Sequence, residues 1–126
     1  MSLSTYFMIR AIVALLFGIP LALAPAALVS MYGLTTDPVG VLMARQVGAT
    51  LIGIGVLCLS SRRATELKAL RAITLGLFIG DTAGFITSLV GQLSPGASPL
   101  GWVNVLIWLL LALGFAYFRF VKLRAG

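Results

Sequence analysis

Four long apolar windows, separated by short connections, decide what this chain can become. Crossing a hydrocarbon core of roughly 30 Å takes about 20 consecutive apolar residues in a helix. Such windows run from about Tyr6 to Met31, Pro38 to Ser60, Glu66 to Gln92 and Pro99 to Val121. In lipid the backbone must satisfy its own hydrogen bonds, so windows of this kind are read as helices. The reading is therefore all-α: a polytopic membrane protein, an antiparallel four-transmembrane-helix bundle forming one membrane domain over residues 1–126, with helices at about 6–31, 38–60, 66–92 and 99–121. The mean hydropathy of +1.12 agrees with this, as does a charged share of 10%, where soluble domains have about 25%.

The few charges are placed unevenly. Arg62, Arg63, Lys68 and Arg71 crowd one connection, and Arg119, Lys122 and Arg124 crowd the C-terminus, whereas the opposite connections hold Asp37 alone. Short cytoplasmic loops retain Lys and Arg, so this asymmetry puts the basic connection inside. With an even number of spans both termini are then also cytoplasmic, in agreement with Arg10 near the start. The basic balance is read as topology first and attraction to anionic headgroups second, with the lipid bilayer as partner and no nucleic acid.

The same scarcity removes most chemistry. There is no histidine, hence no Ser-His-Asp or Cys-His nucleophile and no imidazole ligand. Asp37, Glu66 and Asp81 fall in two loops on opposite sides and in the bilayer core, so they cannot converge on a metal ion within one protomer. Cys58 is alone, which excludes an intramolecular disulfide and reads as a lipid-facing or packed small residue. No metal, no cofactor and no catalytic residue is expected.

Local signals mark the boundaries. Asp37-Pro38 and Ser98-Pro99 each put a capping side chain before a proline at the first helical position. Thr65 is a candidate N-cap for the third span, with Glu66 in its first turn. Tyr6, Phe7, Tyr117, Phe118 and Phe120 are assigned to an inner aromatic belt, and Tyr32 and Trp102 to an outer one. Arg10, the apolar run from Ala11 and the small residues Ala24 and Ala26 loosely resemble a signal peptide cut before Ala27, but the charge sits late and the run continues to Met31. The segment is read as a span, kinked by the interior prolines Pro20 and Pro25.

In the third span Gly76, Gly80 and Gly84 form a double GxxxG, with Ile73, Thr87 and Gly91 on the same stripe. Small residues let membrane helices approach closely, either within the protomer or between protomers. Beside it, Thr74, Asp81, Ser88 and Gln92 fall within a sector roughly 40° wide at 100° per residue, a polar seam of the kind that faces protein or a water-filled cavity. In the second span Arg45, Gln46, Ala49, Gly53 and Ser60 share one face, and Val47, Leu51, Ile54 and Cys58 lie opposite, where they are expected to meet lipid. From the outer helix ends the Cα atoms of Arg45 and Asp81 differ in depth by roughly 6 Å. An intramembrane ion pair between them, assisted by Gln46, is the expectation, as a structural register-fixing contact or as a binding or proton-handling one. Asn104, Trp108, Phe115 and Arg119 align along the fourth span, with Asn104 turned to the interior.

The order of these features carries a resemblance. A proline-containing first span ending in Ala24-Pro25-Ala26-Ala27-Leu28, then Ala44-Arg45-Gln46-Val47-Gly48-Ala49 opening into Gly53-Ile54-Gly55, and a last span from Gly101-Trp102 to Leu113-Gly114-Phe115-Ala116-Tyr117-Phe118, resembles the small bacterial four-helix membrane proteins of uncharacterised, broadly DoxX-like type. The resemblance implies the fold and a bacterial cell inner membrane, and no redox residue is carried over. Two functions follow as expectations. One is an accessory or scaffolding unit that packs with itself, as a homo-oligomer, or with a larger membrane complex. The other is a protomer that binds or translocates a small molecule, ion or proton along the seam centred on Asp81 and Arg45. A membrane enzyme ranks third, since Asp81 would be its sole acid or base.

Overall fold

A computed structural model describes residues 2–31 and 33–123; Tyr32 and Arg124 lie outside the described residues. The protein is all-helical, with no strand among those residues: α1 (Leu3–Leu23), α2 (Pro25–Met31), α3 (Pro38–Ser61), α4 (Leu67–Gln92) and α5 (Gly101–Tyr117), the last running into a π-helical turn (Phe118–Lys122). Four helical stretches, Leu3–Leu23, Pro38–Ser61, Leu67–Gln92 and Gly101–Lys122, are long and apolar enough to cross a membrane. The chain divides into two compact units, Met1–Arg63 and Ala64–Gly126, and each is a pair of antiparallel long helices.

The first window is not one helix. It breaks at Ala24, whose backbone (φ −143°, ψ 62°) has left the helical region. The residue before a proline is pushed out of the α region by the Pro ring, so Pro25 opens α2 instead of kinking a continuous span. Pro20 stays inside α1, and its carbonyl accepts the Ala24 N–H at 2.7 Å. At the other end Ser2 caps α1, its hydroxyl accepting from the Thr5 N–H at 3.1 Å.

α1 and α3 are brought together by small residues. A Cβ on Gly48 would stand 2.5 Å from the Ala22 amide nitrogen and 2.7 Å from the Gly18 carbonyl oxygen. One on Gly18 would meet Leu51, and one on Gly55 would meet Leu15. Only glycine permits so close a backbone approach. Gly48, Leu51, Gly55 and Cys58 of α3 and Phe7, Ala11, Ala14 and Gly18 of α1 are all buried, and both sets follow the three-then-four spacing of a helix seam. This corrects the assignment of faces on α3: Leu51 and Cys58 are buried, while Arg45, Gln46, Ala49, Gly53 and Ser60 are exposed. Backbone proximity at the glycines, not the polar residues, chose the face that packs. Asp37 caps α3, accepting from the Gly40 N–H at 2.7 Å ahead of Pro38.

The second unit closes differently. Trp108 of α5 lies on Gly84 of α4, its ring carbons 2.5 to 2.8 Å from where a Cβ would be. Phe78 and Phe120 meet edge to face at 5.3 Å. At the basic end the Arg71 Nε donates to the Leu123 carbonyl at 2.7 Å, putting a cation where the α5 dipole is negative. Glu66 itself occupies the N-cap of α4 without a side-chain bond, so Thr65 is not the cap. Ser98-Pro99 begins a tight turn in which the Ser98 hydroxyl accepts from Leu100 N–H at 3.3 Å. The bonds Gly101 N–H to Ser98 O and Trp102 N–H to Pro99 O have 3₁₀ spacing, and regular α5 starts only at Gly101. The inner aromatic belt is also partly reassigned, because Tyr6, Phe7 and Phe118 are buried whereas Tyr117 and Phe120 are exposed; Trp102, assigned to the other belt, is exposed.

Candidate functional site

The inward face of α4 carries the polar seam. Leu70, Thr74, Leu77 and Asp81 are its buried residues, spaced by three and four as one helix face requires. Thr74 is fully buried and donates its hydroxyl to the Leu70 carbonyl at 2.7 Å, a bond within its own helix. Ser88 is half-buried and accepts from the Asn104 Nδ2 of α5 at 3.1 Å. Gln92 reaches past the end of its helix, its Nε2 donating to the Ser98 carbonyl at 2.8 Å while its amide packs on Gly101. Ser88, Gln92 and Asn104 thus fasten α4 to α5 and their connection. Asp81 differs, being a carboxylate only 2% exposed in the middle of the helix. Its neighbour Thr82 holds a buried hydroxyl oxygen without a hydrogen-bond partner among the described residues.

In the first unit Arg45 and Gln46 are exposed on α3, where the Gln46 carbonyl accepts the Thr50 hydroxyl at 3.0 Å. The buried cation of that unit is Arg10, 1% exposed on α1. The sequence reading uses Arg10 only as a marker of the cytoplasmic end. About seven residues beyond Leu3, it stands roughly 10 Å from the start of its helix, on the face that carries Phe7, Ala11 and Ala14. That spacing is the signal that could have found it, since Phe7, Arg10, Ala11 and Ala14 fall on one stripe. A lone charge at a membrane helix centre costs about 2.5–3.5 kcal/mol on insertion scales. Arg10 and Asp81 are thus charged residues that the fold buries within membrane-length helices.

The double GxxxG splits. Gly84 is occupied by Trp108, whereas a Cβ on Gly76 or Gly80 would meet nothing within 4 Å. The cause is geometric, because each step of four residues rotates the stripe by about 40°, so two steps carry it from the open face to the packed one. Ala72, Gly76, Gly80, Ala83, Thr87 and Gly91 are exposed along α4. Beside the buried seam, this leaves a strip of small side chains bordered on its far side by exposed Ile79, Ile86 and Val90. Among the described residues no three His, Cys, Asp or Glu side chains gather where a metal ion could be held. The chain matches no protein-family model, no curated protein and no solved structure.

Proposed function

We propose that this protein is a small accessory or scaffolding unit of a bacterial inner membrane, with both termini cytoplasmic, that packs against a second copy of itself or against a larger membrane complex through α4. One observation carries the reading: the exposed strip around Gly76 and Gly80, open where Gly84 on the same helix is filled by Trp108. In lipid the drive for helix association is close packing, and small side chains supply it. The test is association of the full chain in liposomes, read by energy transfer between donor- and acceptor-labelled copies at increasing dilution in lipid, together with affinity capture from native membranes. Gly80→Leu is expected to weaken association about tenfold while leaving the thermal unfolding of the protomer unchanged. Unaltered association in both assays would sink the reading.

A second reading rests on Asp81, a carboxylate buried beside Thr74 on one face of α4. It makes Asp81 the titratable group of a path for a proton, ion or small molecule, with a cation as counter-charge. Arg45, expected in that role, is exposed on the first unit. Flux into proteoliposomes that disappears in Asp81→Asn, with folding retained, would favour this reading over packing alone.

A further inference from the structure

The two ends of the α4–α5 hairpin differ completely in charge. From Gly91 to Gly101 there is no Lys, Arg, Asp or Glu, whereas the opposite end holds Lys68, Arg71, Arg119 and Lys122 against the single carboxylate of Glu66. No acidic residue follows Asp81 in the sequence. The Arg71 bond to the Leu123 carbonyl ties the start of α4 to the end of α5, so cations some fifty residues apart in sequence are collected in one place. Lys68 and Lys122 are exposed there and Arg119 is half-buried, its Nε shielded and without a hydrogen-bond partner among the described residues.

The surroundings of these charges select among anions. Tyr117, Phe120 and Val121 are exposed and alternate with Arg119 and Lys122, and the Arg119 guanidinium carbon stands 5.4 Å from the Phe120 ring centroid. An aromatic flank that holds a cation at the end of a membrane-length helix belongs at the boundary between headgroups and acyl chains. Nucleic acid or a soluble acidic protein would have to approach cations interleaved with exposed apolar side chains. A lipid satisfies both at once, its phosphate on the cations and its chains on Tyr117, Phe120 and Val121.

We propose that this end of the α4–α5 hairpin is a binding site for the phosphate headgroup of an anionic membrane lipid, with Lys68, Arg119 and Lys122 as its cations and Arg71 as the residue that holds its two walls together. The proposal is independent of the packing role assigned to the small-residue strip around Gly76 and Gly80.

The test is lipid retention by the purified full chain, read by native mass spectrometry from detergent with phosphatidylglycerol, phosphatidylcholine or inorganic phosphate added. Phosphatidylglycerol is expected to bind at least about tenfold more tightly than phosphatidylcholine. A juxtamembrane cation contributes about fivefold to anionic lipid binding, so Lys68→Gln and Lys122→Gln should each weaken retention by about that factor and the double variant by about 25-fold. Both side chains are exposed, so helicity and unfolding temperature should not change. Arg63→Gln removes the same charge from outside the α4–α5 hairpin and should have little effect. Equal retention of the two lipids, or equal losses in Arg63→Gln, would overturn the proposal, as would displacement by inorganic phosphate at lipid-like concentrations, which would mark a soluble-anion site.

Discussion

The two hairpins of this protein solve one problem by opposite means. Lipid tails are as apolar as leucine, so two membrane helices gain little from hiding hydrophobic surface and must gain from contact itself. In the α1–α3 hairpin the contact is backbone against backbone, with Gly18, Gly48 and Gly55 clearing the way and Ala11 and Ala14 continuing the seam. In the α4–α5 hairpin side chains make the contact: Trp108 fills the space over Gly84, Asn104 bonds Ser88, Gln92 bonds the connection and Arg71 bonds the far end. The first arrangement tolerates almost no change of volume at its centre. The second spreads its stabilisation over several side chains, each individually replaceable.

That contrast is most exposed to test at Gly48. A side chain there would run into backbone atoms of Ala22 and Gly18, which cannot rotate away as a side chain can. Overpacking of this kind costs about 3 kcal/mol, so Gly48→Leu should strongly destabilise the protein in detergent unfolding. Gly53→Leu, on the same helix with nothing within 4 Å, should change stability by no more than about 0.5 kcal/mol. Similar effects at the two glycines would show that close backbone approach does not hold the first hairpin.

Gly84 asks the same question of the second hairpin. The obstacle there is an indole, so Gly84→Ala should cost only about 1–2 kcal/mol, and much of that should vanish in a Trp108→Leu background. A double-mutant cycle measures the difference. If Gly84→Ala proves as damaging as Gly48→Leu and is not relieved by the smaller residue at 108, the two hairpins do not differ in the way their geometry implies.

The same geometry accounts for what could be read from the sequence. Span number and the cap at Asp37 were legible because each has a local cause: the count of apolar runs, or a carboxylate three residues before the Gly40 N–H it accepts from. Helix faces were legible only where one side chain type dominated. On α4 the polar residues Thr74 and Asp81 do lie on the buried face. On α3 the polar residues Arg45 and Gln46 lie on the exposed face, because the decisive signal was the seven-residue interval from Gly48 to Gly55 matched to Ala11, Ala14 and Gly18 on α1. Two glycines among fourteen in the chain do not announce a partner until the partner helix is beside them. The burial of Arg10 was not legible for a related reason, since a charge near the chain start draws attention as a topology marker, and only its shared stripe with Phe7 and Ala14 points to a packed position.

The first hairpin also depends on its entry. Asp37 accepts from the Gly40 N–H at 2.7 Å immediately before Pro38, and it starts the helix that must meet α1 in register. Loss of such a cap costs about 1 kcal/mol. Asp37→Ala should therefore lower stability by about that amount and Asp37→Asn by much less, as read by thermal unfolding in detergent. Equal losses would mean that the charge of Asp37, rather than its capping bond, is what the start of α3 requires.

The smallest expected effect tests the claim that the second hairpin is stabilised by many modest contacts. Asn104 Nδ2 donates to the Ser88 hydroxyl at 3.1 Å in a half-buried position, where water is scarce but each side chain can find another partner when the helices separate. Interhelical hydrogen bonds in membrane proteins average about 0.6 kcal/mol, with a maximum near 1.7. The coupling between Asn104→Ala and Ser88→Ala should fall near the lower figure. A coupling above about 2 kcal/mol would concentrate the hairpin's stability in one bond and make it as intolerant as the glycine seam, while a coupling near zero would leave Trp108 and Arg71 to close the hairpin. The intermediate value is what a zipper of interchangeable contacts requires, and it lets α4 pack on α5 without drawing on the exposed glycines Gly76 and Gly80.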